Sequence, residues 1–546
     1  MTTSNYKVNV PVEFMWRAED EQTAAQAVAD VRVNGPGGGA WTIPTFHDGG
    51  RLLGFRFAAP APGRYEWTAI GPGANGQAGA FDVGPYDGDN PLYKHGRLRV
   101  AADRRHLEHA DGTPFFWLAD TWWMALSDRC DWPRGFRSLA TDRLAKNFSV
   151  VQLVAGPFPD LCATTAAFSD QHANEGGIPW FQKPGAYEFD RINPAYYRHA
   201  DEKIFALAEW GLVPCIFGMW GYHLPFMGVE NAKRHWRNLV ARYAALPVVW
   251  SVCGELDLPT YAWLNEPDRM DERRKAQREG WTEVARHLRS IDPYGTLTTA
   301  HPWCGVDTRE SLLDPSTYDI SMLQTGHGNQ EVLPGTVQQM RRYTRQEPPL
   351  PVFNAEPCYE GIMGVVGACM ARAVFWISIL EGGCGHTYGA QGMWGMNSRY
   401  KPFRSTTLEW GSGYWQDVMH YAGAGDVGRS KKFLERWAWQ KLVPRDEPVV
   451  SGPWGRPTSM AAEIPGALRL YYVPNLNAPW EVCGIANGTS LAPLALEAGS
   501  RWKAFYWDPR TGAETEPVEA APGADGNWTP PRRPNMEDWV LCLIRS

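Results

Sequence analysis

The sequence predicts a multidomain α/β protein: a (β/α)8 barrel of the TIM type with a β domain on either side. Three observations carry that prediction. Between about Leu98 and Pro444, short apolar runs of strand length alternate with helical patterns, as they do when βα units build a parallel sheet. Eight such runs fit into this one stretch, the number a closed barrel uses. On both sides the rhythm changes to short alternating runs broken by Gly and Pro, the pattern of antiparallel sheets.

The N-terminal region, predicted as a β-sandwich over residues 1–88, contains V-D-V-R-V, W-T-I-P-T-F, L-L-G-F-R-F, G-R-Y-E-W-T-A-I and A-F-D-V, separated by turn residues. G-P-Y-D-G-D-N-P-L-Y reads as a linker into the barrel, predicted over 89–445. The eight runs end at Asp120, Val154, Met219, Glu255, His301, Gln324, Glu356 and around Tyr388. Between them, Trp236, Leu239, Val240 and Tyr243 fall at i, i+3, i+4 and i+7 and form one helical face. Val284, Leu288 and Ile291 repeat the pattern, and Pro293 closes that helix before a strand beginning at Thr296. After Pro444, A-L-R-L-Y-Y-V-P, W-K-A-F-Y-W-D-P-R-T-G and D-W-V-L-C-L-I predict a small antiparallel, sandwich-like β domain over 446–546.

Composition narrows the function. With 546 residues, 44% of them hydrophobic, the chain has ample apolar material for two or three cores. The net charge of -7 is spread among mixed acidic and basic residues with no basic run, which argues against nucleic acid or an anionic membrane as partner. No window resembles a signal peptide or a membrane span, so a cytoplasmic location is expected. The ten cysteines are scattered singly and read as buried free thiols. The 27 tryptophans are unusual; part must be core, and Trp is also the flat surface on which sugar rings stack.

In such a barrel the catalytic side chains sit at the C-terminal ends of the strands, where the βα loops converge. Glu255 ends V-V-W-S-V-C-G-E, whereas Glu266, in the triplet Asn-Glu-Pro, falls ten residues later in a Pro-flanked polar loop. Glu255 is therefore the expected strand-four acid. Its partner must come from across the mouth, because glycoside hydrolysis needs one carboxyl to protonate the leaving oxygen and another to attack or activate water. Glu356, at the end of P-V-F-N-A-E-P, meets that demand, and Glu360 reads as a loop carboxylate. Other strand-end candidates for gripping a sugar are Asp120, Trp122, Trp123, His301, Trp303, Gln324, His327, Tyr359, His386, Tyr388 and Trp394, with His223 weaker. Neither a metal nor another cofactor is expected: H-x-x-x-H spacing and D-x-D-x-D-G loops are absent, and G-P-G-G-G-A near Gly35 lacks the Lys-Ser/Thr of a phosphate loop.

Several motifs in order resemble the apiosidase-like glycoside hydrolases. They are P-F-F-W-L-A-D-T-W-W at 114–123, V-A-R-Y-A-A-L-P-V-V-W-S-V-C-G-E at 240–255, D-P-Y-G-T-L-T-T-A-H-P at 292–302, N-A-E-P-C-Y-E-G at 354–361 and G-H-T-Y-G-A-Q-G-M-W at 385–394. The resemblance implies a barrel with flanking β domains, the C-terminal one similar to a collagen-binding-type module, and a glycosidase with Glu255 as acid/base and Glu356 as nucleophile. It further implies retaining, exo-acting cleavage of a terminal pentose, furanoside or deoxyhexose from an oligosaccharide or plant glycoside. The apiosidases tend to carry Asp at the strand-four position, and Glu255 is one methylene longer. Another exo-glycosidase on the same fold, such as an arabinofuranosidase, and a non-catalytic carbohydrate-binding barrel are the alternative readings. Long loops after strands two and three, including G-G-I-P-W-F-Q-K-P-G-A-Y-E-F-D, would close a pocket around a terminal sugar. Homo-oligomer formation is left open.

Overall fold

The computed structural model describes residues 6–74, 76–156, 170–183, 186–259, 267–402, 413–446, 460–474 and 491–546. Its centre is one parallel sheet of eight strands: β1 (Trp117–Thr121), β2 (Val150–Val154), β3 (Val213–Phe217), β4 (Val249–Ser251), β5 (Thr298–Thr299), β6 (Ser321–Gln324), β7 (Val352–Glu356) and β8 (Gly385–Tyr388). Their spatial order is β5-β4-β3-β2-β1-β8-β7-β6. The remaining seam, between β5 and β6, is bridged by single hydrogen bonds. Asp319 N–H donates to Thr298 O at 2.8 Å, and Thr299 Oγ1 donates to Ile320 O at 2.9 Å. The Thr308 hydroxyl donates to Ala300 O at 2.7 Å and accepts from Met322 N–H at 2.9 Å. The barrel is closed in all but a continuous ladder.

Strand alternation sorts side chains into an interior and a helix-facing layer. Inside, Trp117 stacks on Phe353 at 4.3 Å, and Thr387 Oγ1 donates to Gln152 Oε1 at 3.1 Å. Gln152 Nε2 in turn donates to Ala355 O at 3.1 Å. Outside, α1 (Arg134–Ala145), α2 (Pro194–Glu209), α3 (Val229–Tyr243), α4 (Met270–Ile291), α5 (Thr308–Ser311), α6 (Leu333–Thr344), α7 (Ala368–Leu380) and α8 (Ala422–Leu434) follow the strands in turn. The predicted face of α3 is buried, with Trp236 edge-on against Trp250 of β4 at 5.6 Å. Val284 and Leu288 are buried on α4 likewise.

The N-terminal region packs a five-stranded sheet against a three-stranded one around Phe14, Phe55, Trp67 and Phe81. It is fastened to the barrel by buried charge: Arg56 binds Asp201 of α2 at 2.6 Å and the Arg242 carbonyl of α3 at 2.8 Å. The C-terminal six-stranded sheet lies on α7, which is apolar on almost every side because it is covered on both faces. Trp376 of α7 stacks on Tyr472 at 5.9 Å and meets Trp507 at 6.0 Å. This sheet begins at Val443–Arg445, short of the predicted start at 446; Val443–Arg445 is an edge strand, where Pro444 costs no ladder bond.

Many tryptophans are core: Trp117, Trp122, Trp180, Trp236, Trp250, Trp281, Trp376 and Trp502 are all below 2% exposed. The free thiols are buried as expected at Cys130, Cys215, Cys253, Cys358, Cys384 and Cys542, whereas Cys304 is exposed and Cys369 half-buried. Among the described residues no helix is long and apolar enough to cross a membrane.

Candidate active site

Glu356 is the last residue of β7, and a bulge decides where it points. The strand pairs Leu323 with Asn354 and then Gln324 with Glu356, so Ala355 is skipped. Without that slip Glu356, three residues beyond the inward Phe353, would face the helices; with it, the carboxylate enters the barrel mouth. His327 Nε2 lies 3.0 Å from Glu356 Oε1 and His301 Nε2 lies 3.2 Å from Oε2. The Tyr359 ring packs edge-on against His327 at 4.5 Å, with its hydroxyl turned toward Glu356 and Trp123. Burial opposes the charged form of Glu356, but the two imidazoles outweigh it and hold its carboxyl well below the usual range.

Glu255 sits four residues past the end of β4 in left-handed backbone, at φ 43°. A non-glycine residue there carries about 1–2 kcal/mol of strain. Its Oε1 accepts from Gln324 Nε2 at 2.9 Å and its Oε2 from Trp220 Nε1 at 3.0 Å. Burial pushes this carboxyl up, and the negative charge of Glu356 pushes it further. The two carboxylates are therefore coupled, one held ionised and the other favoured protonated.

His301 connects them. The Glu255 backbone N–H points at His301 Nδ1 at 3.3 Å, which makes Nδ1 an acceptor and leaves Nε2 carrying the proton that faces Glu356. Trp123 completes the wall, edge-on to Trp220 at 5.3 Å and to His301 at 6.0 Å. Trp303, half-buried, lies under the Arg274 guanidinium at 5.1 Å. Trp394 is buried after β8, its carbonyl accepting from Met124 N–H at 3.2 Å. His223 is buried in the turn after β3, against Tyr222 at 4.7 Å.

Four expected sugar contacts are not in the mouth. Asp120 is fully buried toward α1, its carboxylate taken by Arg143 Nε at 2.5 Å, Trp122 Nε1 at 2.7 Å and Thr121 N–H at 2.9 Å. Trp122 follows it outward and packs edge-on against Phe136 of α1 at 5.8 Å. His386 lies between β8 and α7, beside Ser378 Oγ at 3.3 Å and Phe375 at 5.5 Å, and burial drives its imidazole down to about 3. Tyr388 donates to Glu360 Oε2 at 2.6 Å, and Glu360 also accepts from Gly423 N–H of α8 at 3.2 Å. All four face the helix layer by strand alternation. Glu266 lies outside the described residues.

Trp220 and Gln152 were not anticipated. Trp220 is the first aromatic beyond the third run, a signal the sequence does contain, whereas the role of Gln152 follows only from packing across the barrel. Among the described residues no group of three or more His, Cys, Asp or Glu is placed to hold a metal.

Residues 101–441 match the model of a family described as the apiosidase-like catalytic domain. No curated protein matches. Among solved structures, a candidate glycoside hydrolase from Bacteroides vulgatus superposes with a TM-score of 0.68 at 16% identity, covering 99% of each chain. A glycoside hydrolase of family 5 from the same organism gives 0.62 at 18% identity, over 84% of this chain and 95% of that one. At such identities the likeness is one of fold.

Proposed function

Because the chain belongs to the apiosidase-like family and is a glycosidase, we propose that it acts as a retaining exo-enzyme, removing a terminal pentose, furanoside or deoxyhexose from an oligosaccharide or plant glycoside. One observation carries this reading: two buried carboxyls at the ends of the fourth and seventh strand runs are held in opposite states, Glu255 pushed up and Glu356 held down. Glu356 is the nucleophile. One of its oxygens attacks the anomeric carbon while the glycosidic C–O bond breaks, and the departing oxygen takes the proton of Glu255. Esterification removes the Glu356 charge, so that of the two causes raising Glu255, burial and repulsion, the repulsion disappears. Glu255, now ionised, takes a proton from water as that oxygen attacks the same carbon and frees Glu356.

The surroundings favour a neutral sugar. Neither carboxylate has a Lys or Arg partner among the described residues, and Trp123, Trp220 and Tyr359 offer aromatic surface. Gln324 Oε1 is buried without a partner among the described residues and is suited to accept from a sugar hydroxyl. His327 and Trp303 are assigned to the same subsite. We place the domain boundaries near residues 88 and 445, with the residues between them as the catalytic unit.

The test is a panel of nitrophenyl pentosides, hexosides and deoxyhexosides in both anomers, followed by NMR of the first-formed sugar. The expected product keeps the anomeric configuration of its substrate, the outcome of two successive displacements through an ester on Glu356; inversion would overturn the nucleophile role of Glu356. The pH profile is a second check. The active form, Glu356 ionised and Glu255 protonated, exists between the two titrations. With Glu356 lowered and Glu255 raised, kcat/KM is expected to hold its plateau on both sides of the ordinary Glu value of about 4.3. Activity falls at high pH as Glu255 loses its proton. A basic limb near the ordinary value would contradict the assignment.

A further inference from the structure

The acid/base loop is clasped by one face of α4, a helix that does not touch the reacting atoms. Gln277, buried at 2% exposure, donates both hydrogens of its amide, to Leu256 O at 3.0 Å and to Leu258 O at 2.9 Å. Its neighbour Arg278 binds one oxygen of Asp257, and Ser311 of α5 donates to the other. One turn on, Trp281 Nε1 donates to Gly221 O at 2.9 Å. Gly221 N–H then donates to Gly254 O at 2.6 Å, in the segment that carries Trp220. Three side chains at 277, 278 and 281 thus hold both the residues after Glu255 and the turn whose indole binds its carboxylate.

This grip acts where the backbone is strained. Glu255 at φ 43° does not hold that conformation by local preference. Its carbonyl accepts from Leu258 N–H at 3.0 Å, closing a tight turn, and Leu256 N–H donates to His301 O at 2.9 Å. The packing leaves no slack: a Cβ on Gly221 would lie 2.8 Å from the Glu255 carbonyl, and one on Gly254 would lie 2.2 Å from the Trp220 ring. Strain of this kind persists only where surrounding contacts over-determine it.

We propose that Gln277, together with the Asp257–Arg278–Ser311 cluster, is a positioning device that keeps the Glu255 carboxyl in line with the departing oxygen. It serves the acid/base step and not substrate binding. The inference rests on Glu255 being the acid/base.

Proton donation matters most when the leaving group is a poor one, so the device is read by comparing leaving groups. The experiment measures kcat/KM for a nitrophenyl glycoside and for an alkyl glycoside of the same sugar, in wild type, Gln277→Met, Ser311→Ala and Glu255→Gln. Gln277→Met keeps the volume but removes both donors. A misplacement of about 1 Å costs on the order of a hundredfold in a positioned step. Gln277→Met is therefore expected to lose about ten- to a hundredfold more on the alkyl than on the nitrophenyl substrate, a weaker copy of Glu255→Gln. Ser311→Ala is expected to move the same ratio in the same direction, and it is read in the same way if Gln277→Met does not fold. Equal losses on both substrates, or none, while Glu255→Gln keeps its leaving-group dependence, would overturn the clasp alone. A Glu255→Gln enzyme without leaving-group dependence would overturn the acid/base assignment and the clasp with it.

Discussion

Glu356→Gln is expected to reduce turnover by about 10⁴-fold or more, the scale on which removing a nucleophile acts when the rest of a site is intact. The change is nearly isosteric, so the loss is not one of packing. A carboxamide oxygen cannot form the ester, and its NH2 would confront a histidine nitrogen that now donates. His301 is fixed as the Nε2–H tautomer by the Glu255 backbone, so it cannot adapt by moving its proton to Nδ1. One of the two histidine contacts is broken whichever way the amide turns, unless His327 changes tautomer. Folding is expected to survive, by thermal unfolding and circular dichroism. A folded Glu356→Gln enzyme that keeps a tenth or more of wild-type turnover on the best nitrophenyl substrate would remove Glu356 from the nucleophile role.

The largest effect on stability is expected at the junction of barrel and C-terminal sheet. Arg372 of α7 makes a two-pronged contact with Asp538 at 2.7 and 2.6 Å and reaches Asp426 of α8 at 2.6 Å. Tyr472 donates to Asp538 at 3.1 Å. Arg372 is 4% exposed and Asp538 0%. Asp538→Ala leaves a guanidinium with half its partners in a dry interface, and such truncations cost about 3–5 kcal/mol. Denaturant unfolding of Asp538→Ala is expected to show that loss. The double change Arg372→Met with Asp538→Leu is expected to recover part of it, because no guanidinium is then left short of carboxylates: Asp426 keeps Arg429 at 2.8 Å, and the Tyr472 hydroxyl is the group that loses its acceptor. A loss below about 1 kcal/mol in Asp538→Ala would mean that this pair does not hold the sheet to the barrel.

The same residues explain what the sequence makes legible. Strand positions come from apolar runs bounded by turns, and the runs ending at Val154, Gln324 and Glu356 coincide with β2, β6 and β7. The run ending at Glu255 overshoots, because β4 stops at Ser251 and the chain continues through Cys253 and Gly254 before the left-handed turn. Which side of a strand a residue takes is a second question. The expectation for Asp120, His386 and Tyr388 used the strand-end rule without the alternation: Trp117 points inward, so Asp120 points outward, and Thr387 inward sets His386 and Tyr388 outward. That much was readable in the sequence once one inward residue was known. The bulge at Ala355 was not, since it depends on the register of β6 against β7 and leaves no residue-type signature. The grip of α4 on the acid/base loop is equally silent, because Gln277 lies on the buried side of a helix where an apolar residue would be the ordinary choice.

Helix α7 has a consequence for biogenesis. It is packed on one side against β8, where Phe375 meets His386, and on the other against strands drawn from far downstream, of which Trp539–Arg545 is a central one, between Leu468–Val473 and Trp502–Trp507. While the polypeptide is being synthesised, the barrel can assemble well before that strand emerges from the ribosome, and during the interval Trp376 and its neighbours are uncovered. A nascent chain in that state exposes a sticky helix to its surroundings, a situation in which chaperones are engaged and aggregation competes. The C-terminal sheet is in this sense the barrel's own late-arriving escort, and shortened versions that end before it would be delivered to the cell without one.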